Sequence, residues 1–547
     1  MVANAEAAVL PPWSNDSADG AGTPPALGDL LVAPARKWPD RTAIDDGTDS
    51  HTFAELEQGA LALASRLAGL GVGPGDRVVV LAAKKAVMPM IIMAVWKRGA
   101  VYVPLDAAEP APRLHSLLTR LDPAAVLALD DREPALAAPW LGKEQLDEAL
   151  AGADAAHATV AHATVAHRPE DPAYIVFASG ATGEPQGAEI GVAALLAHFG
   201  GHNEVLRLTA ESRVLSLSPF HFDVSLLDTL LPLSVGAFVH QFRSLPAGAV
   251  IRSVLARQRL THLLAVTVML TLITGDGRQI TPAKLPTLEL VMTGAQVCEP
   301  AVLRPWLQNL PQVRLVQAFG PPEAAIFSLT HELGPSDADR TTACPVGRPL
   351  RGTRARLVRD GAELRDPGEV GELWVGGPQV MRGYFDQPGE TARTVVEADG
   401  TRWFRTGDLC SRDPDGTLVL HRYAEEIAWL AGRRTHLAEI RRAALECPGA
   451  EGAAVAVVPR HQREVLALVL LAKDRRVVAD AVEHLRGALP EPLRPALLGW
   501  APTEAAASEA GEQELIQRLA TAAEQSNSHY FALTADGAVE TLEEVEL

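Results

Sequence analysis

The sequence predicts an α/β protein: a large domain built on parallel sheet, followed by a small α+β domain. Three observations predict it. Between residues 51 and 106 apolar strands alternate with helices, the order that yields a parallel sheet covered on both faces. From 350 to 420 the chain turns β-rich, with short strands separated by Gly and Pro turns. After residue 421 a helix, two long apolar strands and a further helix form a unit of their own.

In order, the first 25 residues are rich in Ala, Pro and Gly with no basic start or apolar core, and read as a disordered leader. Thr52 and Glu55 have the spacing of a capping box ahead of an apolar helix. The strand RVVVLA, a second helix and the strand VYVPL follow. Residues 151–170 hold HATVAHATVAH. His157, His162 and His167 recur every five residues, a period that does not align them on one helix face, so the tract reads as a spacer and not a metal site. The alternation runs to about 335; RARLVR, GELWVGG and GTLVLHR then read as strands. Leu437, Ile440, Ala444 and Leu445 stand at helical spacing, AAVAVV and VLALVLLA as strands, and 478–488 as a helix. From 502 the Ala/Glu-rich stretch reads as helix and then a loose acidic tail over 526–547. The domains expected are thus 26–421 and 422–525.

A chain of 547 residues exceeds one ordinary core. Its 47% hydrophobic and 21% charged residues are those of a soluble globular protein, and no apolar run reaches the ~20 residues of a membrane helix. A net charge of −19 speaks against nucleic acid. An anionic ligand must then be met by backbone N–H groups, helix N-termini and a few Arg. The four cysteines show no metal spacing and read as reduced thiols in a cytoplasmic protein. Past residue 300 the only lysine is Lys473.

The strongest local signal is YIVFASGATGEPQGAEI at 174–190. A strand runs into Ser179, Gly180, Ala181, Thr182 and Gly183, then Pro185 and Gly187; glycines let a backbone wrap phosphate oxygens, and the hydroxyls can add donors. Alone, it reads as well as an ordinary Gly-rich turn. It is joined, in fixed order, by VYVPLD, HFDVS (221–225), QAFGPPE (317–323), GELWVGGPQVMRGY (371–384) and RWFRTGDL (402–409). With these the chain resembles the adenylate-forming superfamily of acyl-CoA synthetases, luciferases and peptide-synthetase adenylation domains. It looks most like a stand-alone amino-acid adenylation protein.

The resemblance implies a large N-terminal domain with two parallel sheets sandwiched by helices plus a small β-barrel, and a mobile α+β C-terminal domain. It implies ATP and Mg²⁺, an amino-acid substrate and a carrier protein acting in trans. The loop Ser179–Gly187 would wrap the β- and γ-phosphates. Phe319 would cover adenine, with Gly294, Ala295 and Gly320 beside the nucleotide. Glu323, with Thr182, would serve Mg²⁺, a hard ion suited to oxygen ligands. Asp408 would accept the ribose hydroxyls, and Arg422 would contact the nucleotide by the hinge. Asp223 would pair with the substrate ammonium. Val224, Leu227, Ala265, Val291, Thr293, Ala318, Ile326 and Phe327 would line a mostly apolar side-chain pocket, which suits a small or medium apolar amino acid; for Ala265 and Val291 core packing is an equal reading.

The chain departs from the family pattern at three places. The phosphate loop normally ends Pro-Lys-Gly and here reads Pro185-Gln186-Gly187. The hinge HRYAEEIAWLAGRRTHLAEI keeps Arg422, Gly432, Arg434, Glu439 and Ile440 but puts Ala424 or Glu425 where an Asp is usual. Near the C-terminus Glu512 stands where the catalytic Lys is expected, and no lysine follows Lys473. Losing one charge-assisted bond costs ~1.5–3 kcal/mol, and losing one preorganised transition-state donor slows a reaction ~100–1000-fold. Weak adenylation is therefore expected unless an arginine such as Arg433, Arg434 or Arg518 takes over. Two other readings stand beside the ligase: a protein that binds nucleotide and amino acid but serves as a partner, and an enzyme of the second half-reaction alone.

Overall fold

The computed structural model describes residues 27–130, 138–151, 164–180, 182–244, 246–424, 426–430, 433–460, 463–506, 509–533 and 539–542. The leader, His157, His162, Ala181, Glu425 and Gly432 lie outside the described residues. The chain divides into two compact units. The first holds 1–107, 121–177 and 187–424; the second holds 108–120, 178–186 and 425–547. The last segment of the first unit ends at Ala424, where the sequence reading puts a boundary at 421/422. The sequence did not indicate that two short pieces of the N-terminal half belong with the C-terminal unit. Side-chain pairing puts them there: Arg113 binds Glu439, and Arg442 binds Glu184 at 2.8 Å.

In the first unit the Thr52 capping box forms as expected. The Glu55 N–H donates to Thr52 Oγ1 at 3.2 Å, and the Thr52 N–H to Glu55 at 2.8 Å. It opens the helix Phe53–Gly69 and contributes about 1 kcal/mol. A seven-stranded sheet contains the parallel strands Pro172–Ala178, Val101–Asp106, Arg77–Ala82 and Ala125–Ala128. A nine-stranded sheet runs parallel through Thr42–Asp45, Phe238–Gln241, Arg213–Ser216, His262–Val266, Leu290–Gly294 and Arg314–Phe319. It ends in the antiparallel strands Leu329–Leu333 and Arg348–Pro349. These strands are apolar on both faces, as parallel strands covered twice must be.

The main core joins facing sides of the two sheets through the helices Phe53–Gly69, Met88–Lys97 and Val192–Leu206. A second core fills the far side of the nine-stranded sheet under the helices Gly248–Arg257, Thr267–Thr274 and Pro300–Asn309. Where a small barrel is expected, six antiparallel strands form the third sheet, centred on Gly371–Gly376 and Thr401–Arg412.

The second unit is α+β. Its five-stranded sheet runs Gly452–Arg460, Arg463–Leu471, Leu497–Ala501, Tyr530–Leu533 and Val539–Thr541. The helices Leu437–Leu445 and Val477–Ala488 pack on one face, and Glu509–Glu524 on the other. The stretch 526–547, expected as a loose acidic tail, is corrected here: it supplies the last two strands. Phe531 and Leu533 are fully buried, and this apolar pair outweighs the acidic composition around it. All four cysteines are free and buried. Among the described residues no helix is long and apolar enough to cross a membrane.

Candidate active site

Parallel strands deliver their functional residues from their C-terminal ends, where the crossovers leave room for ligands. Asp223 lies on the turn after Arg213–Ser216, just before a π-helical turn, Leu226–Leu230. The buried carboxylate of Asp228 fastens that segment by accepting the Ser216 hydroxyl at 2.9 Å and the N–H groups of Leu217 and Ser218 at 3.1 and 3.0 Å. Asp223 is thereby held inside the protein. Burial pushes its carboxyl up to about 7, against the pull of the Val224 and Ile326 N–H groups and with a further push from the negative Glu323. Its Oδ2 is buried and has no hydrogen-bond partner.

Glu323 sits on the short turn Pro322–Ala324. The Tyr384 hydroxyl donates to its Oε1 at 2.8 Å, while Oε2 is buried and unpartnered. The next two residues carry positive φ, 54° at Ala325 and 70° at Ile326. A β-branched residue in the left-handed region is a real outlier, and such strain gathers at functional sites. Here it accompanies the approach of the Ile326 N–H to Asp223.

Asp408 is buried in the strand Thr401–Arg412. Its Oδ1 accepts the Ala424 N–H at 2.7 Å. Gly407 has φ of 73°, and a Cβ there would stand 2.8 Å from the Ala424 Cβ, so glycine alone fits. Arg422 pairs across the ladder with Leu409, next to Asp408. Tyr423 accepts the Val297 N–H at 2.9 Å, which ties this segment to the loop that follows Gly294 and Ala295.

In the second unit the glycine-rich loop makes a tight turn, the Gly183 N–H donating to the Gly180 carbonyl at 3.0 Å. Gly183 has φ of 79° and lies so close to the helix Leu437–Leu445 that a Cβ would meet the Ala438 carbonyl at 2.9 Å. Ser179 Oγ donates to the His436 carbonyl at 3.2 Å, and Arg120 to the Pro185 carbonyl at 2.8 Å. Gln186 is buried. Glu512 stands half-exposed in the first turn of Glu509–Glu524.

Comparison with known proteins decides the family. Residues 31–385 match the family model of the AMP-binding enzymes. The chain belongs to that family. It is 32% identical over 477 residues to a phenyloxazoline synthase of Mycobacterium sp. (strain MCS), covering 85% of this chain but 39% of that relative. It is 31% identical over 436 residues to an L-proline–[L-prolyl-carrier protein] ligase of Streptomyces coelicolor, covering 75% of this chain and 80% of the relative. An artificially fused adenylation–PCP di-domain protein from Klebsiella oxytoca shares the fold: TM-score 0.76 at 21% identity, over 86% of this chain and 93% of that one. The chain thus spans well under half the length of some relatives it matches.

For this AMP-binding enzyme the expected pocket lining is only partly assembled. Leu227, Ala318, Ile326 and Phe327 join the main core, with Val224 packed against it. Ala265 and Val291 lie in the second core, and Thr293 shares the face of Val291 by strand alternation. Ala265 and Val291 therefore pack in the core on the far side of the sheet, while the buried Thr293 Oγ1 has no hydrogen-bond partner. Phe319 is 3% exposed inside a third cluster with Ala324, Leu329 and Val346, so its ring sits in a core and not on an open face. Gly294 and Gly320 are needed for closeness: a Cβ on Gly294 would meet the Phe327 ring at 2.7 Å, and one on Gly320 the Ser328 N at 2.6 Å.

Among the described residues no group of three or more His, Cys, Asp or Glu gathers to cage a metal. A Mg²⁺ ion that arrives on a nucleotide needs only one or two protein carboxylates, and the unpartnered Glu323 Oε2 fits that need. Sequence reasoning missed Tyr384, which orients Glu323, although it ends the segment GELWVGGPQVMRGY. It also missed Tyr174, whose buried hydroxyl has no partner and whose ionisation Asp223 further opposes. Neither role has a local signature, because each partner is distant in sequence.

Proposed function

We propose that this enzyme activates an α-amino acid as its aminoacyl adenylate, at the expense of ATP, and passes the acyl group to a carrier-protein thiol or an amine. The observation that carries the reading is the buried Asp223 carboxylate, with one unpartnered oxygen and a carboxyl held near neutrality. A buried carboxylate is stable when an opposite charge is hydrogen-bonded to it, and an α-ammonium supplies that charge. Glu323 would hold Mg²⁺, which supplies charge neutralisation on the phosphates. Asp408, a buried acceptor held by the Ala424 N–H, would receive the ribose hydroxyls. The carrier-protein ligase among the relatives supports the thiol acceptor. The side chain taken is mainly apolar, since Leu227, Ala318, Ile326 and Phe327 surround the turn. Gln186 and Glu512, at positions where a lysine is usual, favour a second reading: a protein that binds both ligands with slow adenylation, acting as a partner.

Nucleotide binding tests the common ground. AMP or ATP with Mg²⁺ should raise the melting temperature by on the order of a few degrees at millimolar ligand, because a ligand that binds only the folded state stabilises it. Asp408→Ala should abolish the shift. No shift in the wild type would contradict the reading.

A further inference from the structure

Two histidines of the helix Val192–Leu206 are buried in the first unit. His198 is 3% exposed and His202 0%. Their rings stack with centroids 3.9 Å apart at 39°. The His202 ring lies 6.1 Å from that of Phe327, the residue that follows Ile326, whose N–H meets Asp223. Phe327 also lies close to Gly294.

The hydrogen bonds fix the chemistry of His202. Its Nδ1 stands 3.1 Å from the His198 carbonyl. A carbonyl only accepts, so Nδ1 carries the proton. Burial pushes the ring down to about 4, which keeps it neutral near pH 7. A neutral ring protonated on Nδ1 presents a bare lone pair at Nε2. That Nε2 is buried and has no partner, and the same holds for the Nε2 of the stacked His198. A buried acceptor left unsatisfied is costly and calls for an explanation. Tyr174, whose hydroxyl is also buried and unpartnered, feels the charge of Asp223, so the unmet polar atoms are not confined to the carboxylates.

We propose that His202 is a specificity-determining residue: its Nε2 accepts a hydrogen bond from a donor on the substrate side chain. The substrate is then an amino acid with a largely apolar body that ends in a hydroxyl or N–H, not a plain hydrocarbon. The inference rests on the amino-acid reading and narrows its substrate class. Sequence alone pointed to a small or medium apolar side chain, because His202 belongs to no motif.

The test measures binding, so it does not depend on turnover. Aminoacyl sulfamoyladenosines are prepared in pairs that differ by one donor: tyrosyl and phenylalanyl, threonyl and valyl, tryptophanyl and naphthylalanyl. Each is titrated calorimetrically into the wild type, His202→Phe and His202→Gln. The wild type should prefer the donor-bearing member of one pair by about 10- to 100-fold. His202→Phe, which keeps an aromatic ring but no acceptor, should erase that preference and raise the unliganded melting temperature. His202→Gln, whose amide oxygen can accept, should restore part of the preference. Binding without donor preference in any pair, or a preference that survives in His202→Phe, would overturn the inference and leave the amino-acid reading intact. Failure of every aminoacyl analogue to bind, with AMP still bound, would instead remove the amino-acid reading and this inference with it.

Discussion

Replacing Asp223 should produce the largest change in this protein, and in two opposite directions. Asp223→Asn should weaken amino-acid binding roughly 100- to 1000-fold, since a buried ammonium would lose its counter-charge. The unliganded variant should be more stable than the wild type at pH 8. The sign follows from the raised acid. Its carboxyl ionises near 3.8 when unfolded and at about 7 when folded. Between these values the folded state holds a proton that the unfolded state has lost, so stability falls as pH rises through the window. Above pH 7 the penalty is on the order of 4 kcal/mol, and the Asn side chain escapes it. Melting curves of wild type and variant should therefore converge toward pH 4 and separate by pH 8. Wild-type affinity for an amino acid should rise up to about tenfold per pH unit between 5 and 7 and then level off. Flat affinity across that range would remove Asp223 from the ammonium site.

Restoring lysine should produce the next largest change. Gln186→Lys with Glu512→Lys should raise amino-acid-dependent pyrophosphate exchange, by up to the ~100–1000-fold associated with one preorganised transition-state donor. The second unit sets other cations against the glycine-rich loop: Arg442 binds Glu184 at 2.8 Å and Arg120 the Pro185 carbonyl at 2.8 Å. Strong wild-type exchange with no gain from lysine would assign the role to one of these, and Arg442→Ala should then lose it. Exchange at background in the wild type with rescue by lysine would favour the partner reading.

Much of the plan was legible in the sequence. The alternation around RVVVLA and VYVPLD became parallel strands, the Thr52 box formed, and HFDVS placed a buried carboxylate at a strand end. These signals are local or periodic. The rest depends on contacts between distant segments. Arg113 and Glu439 are 326 positions apart, so nothing near either residue reveals that residues 108–120 belong with the C-terminal unit. Ala265 and Val291 were separated from Ala318 by the pleat of their strands, which a list of motif positions does not convey. The strand Tyr530–Leu533 lay hidden in an acidic stretch because its four residues are too short a run to outweigh the composition. His202 stood in an ordinary helix, and no local signal in the sequence marks its buried, unpartnered Nε2.

Formation of an aminoacyl adenylate by this chain can be read out directly. The direct measurement incubates the purified wild type with ATP, Mg²⁺ and a panel of amino acids together with their desamino acids, and follows products by mass spectrometry after trapping with hydroxylamine. AMP and pyrophosphate should form in equal amounts, with an amino-acid hydroxamate and none from the desamino counterpart, even if turnover is slow. ATP left unconsumed by the wild type and by the lysine-restored variant, or consumed equally with the desamino acid, would contradict aminoacyl-adenylate formation.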